Sequence, residues 1–300
     1  MKNFEGKVVV ITGGASGLGF EFALQAAQLG MHIVLADVQQ DALERARTDL
    51  DARGVSVLAM ACDVRHGAQV QALADATMAR FGAVHLVFNN AGVGSGGLIW
   101  ENSEADWEWV LGVNVWGVIH GVRIFTRLML DCAARDPAFE GHIVNTASMA
   151  GLLNAPTMGV YNVSKHAVVS LSETLYHDLQ LVDAPIKASV LCPYFVPTGI
   201  SQSQRNRPVD VPMSAEPTAS QMVAQAMTVK AVASGKVSAA DVARITFAAI
   251  ADGQFYIYSH PGALGNVAER MGEIVHQRNP CDPYKATPHI SEMLRSKLKR

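Results

Sequence analysis

The stretch Val8-Val9-Val10-Ile11-Thr12-Gly13-Gly14-Ala15-Ser16-Gly17-Leu18-Gly19 joins a short apolar run to a glycine-rich turn, and helical spacing of apolar residues begins directly after it. An uninterrupted apolar run is typical of a strand that is covered on both faces. Glycine alone is weak evidence, because ordinary tight turns also need it. Between a strand and a helix, however, this turn favours phosphate binding through the free N–H groups of the first helical turn. The candidate contacts are Gly13, Ser16, Gly17, Leu18 and Gly19.

Six more short β-rich runs follow, separated by segments with helical spacing. They cover residues 32–36, 55–61, 84–88, 142–146, 187–192 and 255–258. Two of the helical segments open with the capping-box patterns Ser103-x-x-Asp106 and Ser238-x-x-Asp241. Regular alternation of strand and helix predicts an α/β fold: one Rossmann-like domain over residues 1–300, with a doubly wound parallel sheet of about seven strands and helices on both faces.

The composition excludes several classes of protein. Of the 300 residues, 49% are hydrophobic and 17% are charged, with a net charge of −3, which is ordinary for a globular chain and gives no general attraction to nucleic acid. No apolar run approaches the roughly 18–20 residues of a membrane span. The four cysteines and ten histidines show no metal-ligand spacing. We therefore expect no metal, no nucleic-acid or membrane partner, and a cytoplasmic location.

Two segments depart from the alternating pattern. Residues 194–237 contain Pro197, Pro208, Pro212 and Pro217 and are too long for an ordinary connection, so they form either a lid over a binding site or a disordered insertion. We favour a lid, with a short amphipathic helix around residues 222–227. The C-terminal residues 260–300 are rich in proline and end in basic residues, which indicates a surface tail.

Polar residues follow three strands at the edge where a doubly wound sheet binds its ligand. Asp37 after the second strand can accept hydrogen bonds from both ribose hydroxyls of adenosine and would repel a phosphate there, which favours NAD over NADP; the alternative is a helix cap. Asp63, followed by Val64, can accept from the adenine amino group or cap the next helix. Asn90, Ala91 and Gly92 suit either a simple turn or a cofactor contact.

Tyr161 and Lys165 lie four residues apart, so they share one face of a helix. A free tyrosine has a pKa of about 10, and a neighbouring lysine together with an oxidised nicotinamide would lower it towards the range of a general base. Ser148, after the fifth strand, can bind and orient a substrate oxygen. By spacing alone, however, a Tyr-x3-Lys pair is common.

Taken together, the glycine-rich turn, the Asn-Asn-Ala-Gly turn, Ser148 and the Tyr-x3-Lys pair resemble the single-domain branch of the short-chain dehydrogenase/reductase family. Their order and spacing match over about residues 5–200. The resemblance implies that Tyr161 is the catalytic acid/base, that Lys165 binds the nicotinamide ribose and lowers the tyrosine pKa, and that Ser148 positions the reacting oxygen. It also implies that Asn114 helps to hold a proton relay and that the chain forms a homo-oligomer, a tetramer or a dimer.

The sequence departs from the family pattern after the sixth strand. The family usually has Pro-Gly there, followed by a threonine that contacts the nicotinamide carboxamide, whereas this chain has Pro193-Tyr194, with Thr198 a few residues later. We expect Pro193 and Thr198 to contact the cofactor, and Tyr194 either to enter the substrate pocket or to mark a different path of the loop.

The substrate pocket should be lined by residues that follow strands four, five and six. The candidates are Val93, Met149, Ala150, Met158, Tyr194 and Phe195. Because these are mostly apolar, we expect NAD-dependent hydride transfer with a hydrophobic secondary alcohol or ketone. The alternatives are an NADP-dependent ketone reductase, an isomerase or dehydratase that retains NAD, and a non-catalytic NAD-binding protein on the same fold.

Overall fold

A computed structural model of the chain describes residues 1–211 and 216–299. Its described part contains a sheet of seven parallel strands in the order β3-β2-β1-β4-β5-β6-β7. The strands are β1 (Val8–Thr12), β2 (His32–Asp37), β3 (Val57–Ala61), β4 (Leu86–Asn89), β5 (Gly141–Thr146), β6 (Ile186–Cys192) and β7 (Tyr256–Tyr258). The predicted α/β doubly wound sheet is thus confirmed.

Helices cover both faces of this sheet. They are α1 (Gly17–Gln28), α2 (Gln40–Asp51), α3 (Gly67–Phe81), α4 (Glu104–Leu111), α5 (Gly117–Arg135), α6 (Gly159–Leu181), α7 (Ala219–Ala233), α8 (Ala239–Asp252), α9 (Leu264–Val275) and α10 (Pro288–Leu298). Ser103 and Ser238 cap α4 and α8 as the sequence patterns predict.

The central strand shows why the apolar runs do not alternate with polar residues. Val9 and Ile11 of β1 pack into the layer of α1 and α8, whereas Val8 and Val10 pack into the layer of α3 and α5. All four side chains are buried, because successive residues of a strand point to opposite faces and both faces are covered. Two strands begin later than predicted, β3 at Val57 and β4 at Leu86.

A π-helical segment, Gly112–Trp116, joins α4 to α5 and makes one continuous helix of 32 residues, Glu104–Arg135. By length and composition this helix could cross a membrane. The sequence analysis did not indicate this, because polar residues interrupt the apolar stretches of the helix. Here it packs against α3 and α6, and its own residues Phe125 and Met129 are fully buried.

The predicted lid segment is helical in its described part. A 3₁₀ helix, Gly199–Asn206, is followed by α7, which contains the predicted short helix; Pro212 lies outside the described residues. Hydrogen bonds tie the segment to the loop after β4: Gly94 N donates to Ser203 Oγ at 2.9 Å, and Leu98 N donates to Ser220 Oγ at 2.8 Å.

The C-terminal residues differ from the surface tail that the sequence suggested. They form α9 and α10, and α10 packs against α7 of the lid segment, with Leu294 buried between them and their neighbours. Proline and basic residues gave no sign of this packing, because it depends on an apolar face that only a folded α7 presents.

Candidate active site

The glycine-rich turn requires glycine at three positions for different reasons. Gly13 and Gly17 have positive φ values of 63° and 54°, which residues with a side chain rarely adopt. A Cβ atom on Gly19 would lie 2.0 Å from the carbonyl oxygen of Gly13. Among the described residues, the Ser16 side chain does not cap α1, and Ser16, Gly17 and Leu18 line the cavity described below.

Asp37 supports this turn rather than capping a helix. Its Oδ2 accepts a hydrogen bond from Ala15 N at 3.1 Å, and its Oδ1 accepts from Gln39 N at 3.0 Å, whereas the N-cap position of α2 belongs to Gln39. The helix-cap alternative is therefore wrong. The carboxylate lies in the cavity wall beside the turn, where a ribose hydroxyl would reach its remaining lone pairs.

Asn90 ties the ends of three strands together. Its Nδ2 donates to Thr12 O at 3.0 Å and to Gly13 O at 3.3 Å, and its Oδ1 accepts from Thr146 Oγ1 at 3.4 Å. Ala91 N donates to Thr12 Oγ1 at 3.1 Å. The Asn-Asn-Ala-Gly turn thereby holds the glycine-rich turn against the end of β5, which carries the candidate catalytic serine.

Asp63 is held by an arginine that sequence reasoning missed. Arg65 donates from Nη2 to Asp63 Oδ2 at 2.7 Å and from its backbone N to Oδ1 at 3.0 Å. The N-cap of α3 is His66, so Asp63 does not cap that helix. Asp63, Val64 and Arg65 all lie in the wall of the cavity beside the turn. The basic residue two positions after Asp63 was the available signal.

Lys165, Tyr161 and Ser148 come together at the end of β5. Lys165 Nζ donates to Thr146 O at 2.9 Å and lies 5.7 Å from the centre of the Tyr161 ring, and the Ser148 hydroxyl interacts with the Tyr161 side chain. Burial lowers the pKa of Lys165 to about 8. Burial also raises the pKa of Tyr161 above its ordinary value, and the hydrogen bond with Ser148 opposes that effect.

The protein's own groups therefore do not produce the lowered tyrosine pKa that the family resemblance implied. Removing Tyr161 from water disfavours the phenolate, and this effect exceeds the opposing effect of Ser148. A positive charge bound beside Tyr161, such as that of an oxidised nicotinamide, would act in the opposite direction.

Asn114 sits in the π-helical segment and is completely buried. Its Nδ2 donates to Val93 O at 2.9 Å and to Ser164 Oγ at 3.0 Å, and its Oδ1 accepts from Val93 N at 2.8 Å. A Cβ on Gly92 would lie 3.5 Å from Asn114 Oδ1 and 3.6 Å from Lys165 Nζ, so these two side chains flank the same glycine. Single-turn π segments are frequent at functional sites.

Two cavities meet at Ser148 and Tyr161. The first, about 520 Å³, is lined by the glycine-rich turn, by Asp37 and Asp63, by Asn90, Ala91 and Gly92, and by Lys165, Pro193 and Thr198. The second, about 770 Å³, lies beneath the lid segment and the C-terminal helices. Ser148, Tyr161 and Tyr194 stand in the wall of both. A cofactor in the first and a substrate in the second would touch at Tyr161.

The loop after β6 closes the first cavity. Pro193 O accepts a hydrogen bond from Ser148 Oγ at 3.3 Å, and Thr198 caps the following 3₁₀ helix. A Cβ on Gly17 would lie 3.3 Å from Thr198 Cβ, so this threonine packs directly on the glycine-rich turn. Tyr194 is 41% exposed, and its ring contacts those of Phe195 and His260.

Most of the predicted substrate residues line the second cavity. They are Met149, Ala150, Met158, Tyr194 and Phe195. Val93 does not: it lies in the wall of the first cavity, because Asn114 binds both of its backbone groups and its side chain packs with Trp109 and Val160. Sequence reasoning missed the contribution of the C-terminal residues, such as Arg270 and Tyr284, which form the far wall.

One cluster in that far wall has possible metal ligands. Glu269, Glu273 and Cys281 bring their ligand atoms close together. Glu269 pairs with Lys285, however, and Glu273 accepts a hydrogen bond from Cys281 N at 3.2 Å. Because these carboxylates already form an ion pair and a hydrogen bond, the cluster gives no argument for a metal site. The expected absence of a metal stays a prediction.

Comparisons with known proteins agree with this geometry. A family model described as short chain dehydrogenase matches residues 7–208. The "CLA biosynthesis dehydrogenase/reductase" of Lactiplantibacillus plantarum is 31% identical over 283 residues, which are 93% of this chain and 97% of that protein. The "1-deoxy-11-beta-hydroxypentalenate dehydrogenase" of Streptomyces avermitilis is 31% identical over 267 residues, covering 88% of each chain.

A solved structure shares the whole architecture. A short chain dehydrogenase/reductase from Burkholderia phymatum, crystallised in complex with NAD, is 55% identical, superposes with a TM-score of 0.92, and matches 94% of this chain and 99% of its own.

Proposed function

The chain belongs to the short-chain dehydrogenase family, and from that premise we propose that it transfers hydride between NAD and a hydrophobic secondary alcohol or the corresponding ketone. The observation that carries the proposal is the shared wall of the two cavities. Ser148 and Tyr161 stand there with polar atoms, and Lys165 lies directly behind them.

Tyr161 would act as the acid/base. In oxidation its phenolate takes the hydroxyl proton of the substrate as hydride leaves the carbinol carbon, and in reduction its phenol returns that proton to the ketone oxygen. Ser148 would donate a hydrogen bond to the same oxygen, so that the charge developing there meets donors fixed in advance. The bound NAD would supply the hydride chemistry and, when oxidised, a positive charge beside Tyr161.

Lys165 would assist Tyr161 from behind. It is anchored to Thr146 O, a position from which it can bind ribose hydroxyls in the first cavity. With its pKa near 8 it is mostly charged at neutral pH, so it favours the phenolate of Tyr161. Asn114, which is bonded to Val93 and Ser164, would hold the backbone that frames this group in place.

NAD rather than NADP is favoured by the charge at the end of β2. Asp37 holds its carboxylate beside the glycine-rich turn through Ala15 N, where it would accept from ribose hydroxyls and repel a phosphate on that ribose. The related Burkholderia phymatum structure contains NAD, which supports the same choice.

A large apolar substrate is favoured by the second cavity. Its volume of about 770 Å³ lies within the range of sites for small organic molecules, and its wall beside Tyr161 is built from Met149, Met158 and Phe195. The lid segment covers this cavity through α7 and would exclude water during hydride transfer. A cytoplasmic location and a homo-oligomeric state remain predictions.

The test is reduction of NAD and of NADP by a panel of hydrophobic secondary alcohols, including aryl carbinols and hydroxysteroids. We expect turnover with NAD, and at least about a hundredfold loss of kcat in Tyr161→Phe with NADH binding retained. Turnover with NADP alone would refute the cofactor assignment. Near-normal kcat in Tyr161→Phe would refute the mechanism.

A further inference from the structure

The far wall of the second cavity carries charge, unlike the wall beside Tyr161. Six charged residues of the C-terminal region line it: Glu269, Arg270, Glu273, Arg278, Asp282 and Lys285. Three are cations and three are carboxylates, so their arrangement, rather than their sum, decides what this wall can bind.

The three carboxylates are each bonded within the C-terminal region itself. Glu269 forms an ion pair with Lys285, and Glu273 accepts from the backbone N–H of Cys281. Asp282 accepts from Tyr284 N at 2.8 Å and from Ser291 Oγ at 2.7 Å. These carboxylates hold the tail together.

The two arginines differ from them. Within residues 1–211 and 216–299, neither Arg270 nor Arg278 forms an ion pair with a carboxylate. Arg278 is exposed and lies back along α9 near Gly272. Arg270 is partly buried and reaches inward from α9, where its Nη1 donates to Leu152 O at 3.3 Å.

This inward contact places the guanidinium near the reaction centre. Leu152 ends the 3₁₀ helix Met149–Gly151, and Ser148 begins it. At about 2 Å per residue, such a helix puts Leu152 roughly 8 Å from Ser148. The structure thus holds a cation with unused donors at the edge of the second cavity, against the turn that begins at Ser148.

We propose that Arg270 binds a carboxylate of the substrate, so that the substrate is a hydroxy acid or oxo acid with a bulky apolar body. This inference rests on the proposed function, which assigns the alcohol or ketone end of the substrate to Tyr161. A guanidinium presents paired N–H donors that match a carboxylate, and a charge-assisted hydrogen bond is stronger than a neutral one. The carboxylate orients the apolar body so that its carbinol carbon lies at Tyr161.

The experiment compares acids with their methyl esters, which keep the body and remove the charge. Suitable pairs are para-(α-hydroxyethyl)benzoate and lithocholate, each with its methyl ester. For every pair we measure the ratio of kcat/KM for acid to kcat/KM for ester with NAD. The wild-type chain is expected to prefer the acid of at least one pair, and Arg270→Gln to lose that preference by about tenfold or more.

Matched variants separate charge recognition from damage to the fold. Arg270→Lys keeps the charge and should retain part of the acid preference, while Lys297→Gln removes an exposed cation of α10 outside the cavity and should leave the ratio unchanged. Ester turnover in Arg270→Gln reports whether the catalytic group is intact, since the ester has no charge for the guanidinium to pair with.

The outcomes distinguish this inference from the proposed function. If wild type turns over the esters as well as the acids, or if Arg270→Gln keeps the acid preference, the inference is overturned while the dehydrogenase activity stands. Loss of preference in Arg278→Gln but not in Arg270→Gln overturns the residue assignment. If no substrate is turned over, binding of the acids to NADH-loaded protein is measured by thermal shift. Binding that depends on Arg270 would support the inference without the proposed function. Absence of such binding would overturn the inference.

Discussion

The ion pair between Arg207 and Asp106 fastens the lid segment to α4. Arg207 Nη1 lies 2.6 Å from Asp106 Oδ1, and the two side chains are only 5% and 9% exposed. The guanidinium also lies 5.1 Å from the centre of the Trp109 ring. Asp106 at the same time closes the capping box of α4 with Ser103. Replacing Arg207 by methionine keeps an apolar stem and removes the charge.

The expected loss is about 3–5 kcal/mol, which is the usual result of leaving one partner of a buried pair uncompensated. Burial by itself would raise the pKa of Asp106, but hydrogen bonds from Arg207 and Ser103 outweigh it and hold that pKa below its ordinary value. A carboxyl with a lowered pKa stabilises the fold above its unfolded pKa of about 3.9. The free energy of unfolding should therefore differ most between wild type and Arg207→Met at pH 7, and the difference should shrink as the pH falls below about 4.

Urea unfolding at pH 7 and at a series of pH values below 4 measures this difference. If the lid segment opens with less free energy than the whole domain, part of the loss will appear as faster proteolysis within residues 194–237 rather than as a lower urea midpoint. Arg244→Met is the matched control: it breaks an exposed pair with Asp241, whose side chains are 69% and 49% exposed, and should change stability by less than about 1 kcal/mol. Unchanged urea midpoint and unchanged proteolysis in Arg207→Met would refute the reasoning.

Other substitutions test the first cavity. Asp37→Ala should lower the preference for NAD over NADP at least about tenfold through loss of a charge-assisted hydrogen bond, whereas Asp41→Ala should not; an unchanged ratio would leave Asp37 a purely structural role. Gly19→Ala should abolish NAD binding in calorimetry, because its Cβ would lie 2.0 Å from a backbone oxygen of the turn, and Gly262→Ala, with open space around it, should bind normally. Since burial lowers the pKa of Lys165 to about 8, wild type should gain stability over Lys165→Met in urea unfolding as the pH rises from about 8 towards 10.4, and a constant difference would contradict that shift.

The sheet could be predicted from sequence because both of its faces are buried. Short uninterrupted apolar runs such as residues 8–11, followed by turn residues, are typical of strands whose two faces are both covered. The glycines of the first turn were equally informative, since positive φ at Gly13 and Gly17 excludes most other residues. Features of this kind depend on a few adjacent residues, so the sequence alone can predict them.

Features that depend on distant contacts were not predictable in the same way. Asn114, in the π-helical segment, bonds the loop after β4 at Val93, more than twenty residues earlier in the chain. The pair of Asp63 and Arg65 is different: it is local, and the arginine two positions after Asp63 was a signal that sequence reasoning missed. The far wall of the second cavity needed α9 to fold back so that Arg270 could reach Leu152, a residue 118 positions away.

The strand order has a consequence for how the chain is made. Thr12, at the end of β1, bonds Phe88 and Asn90, which lie 76 and 78 positions further along. The glycine-rich turn is therefore complete only when the first 90 or so residues have left the ribosome, whereas the second cavity waits for the last helix. A growing chain can thus contain every residue of the glycine-rich turn and its strand contacts long before the residues of the second cavity exist. If the proposed function is correct, we expect NAD to stabilise the folded protein by binding the first cavity whether or not a substrate is present.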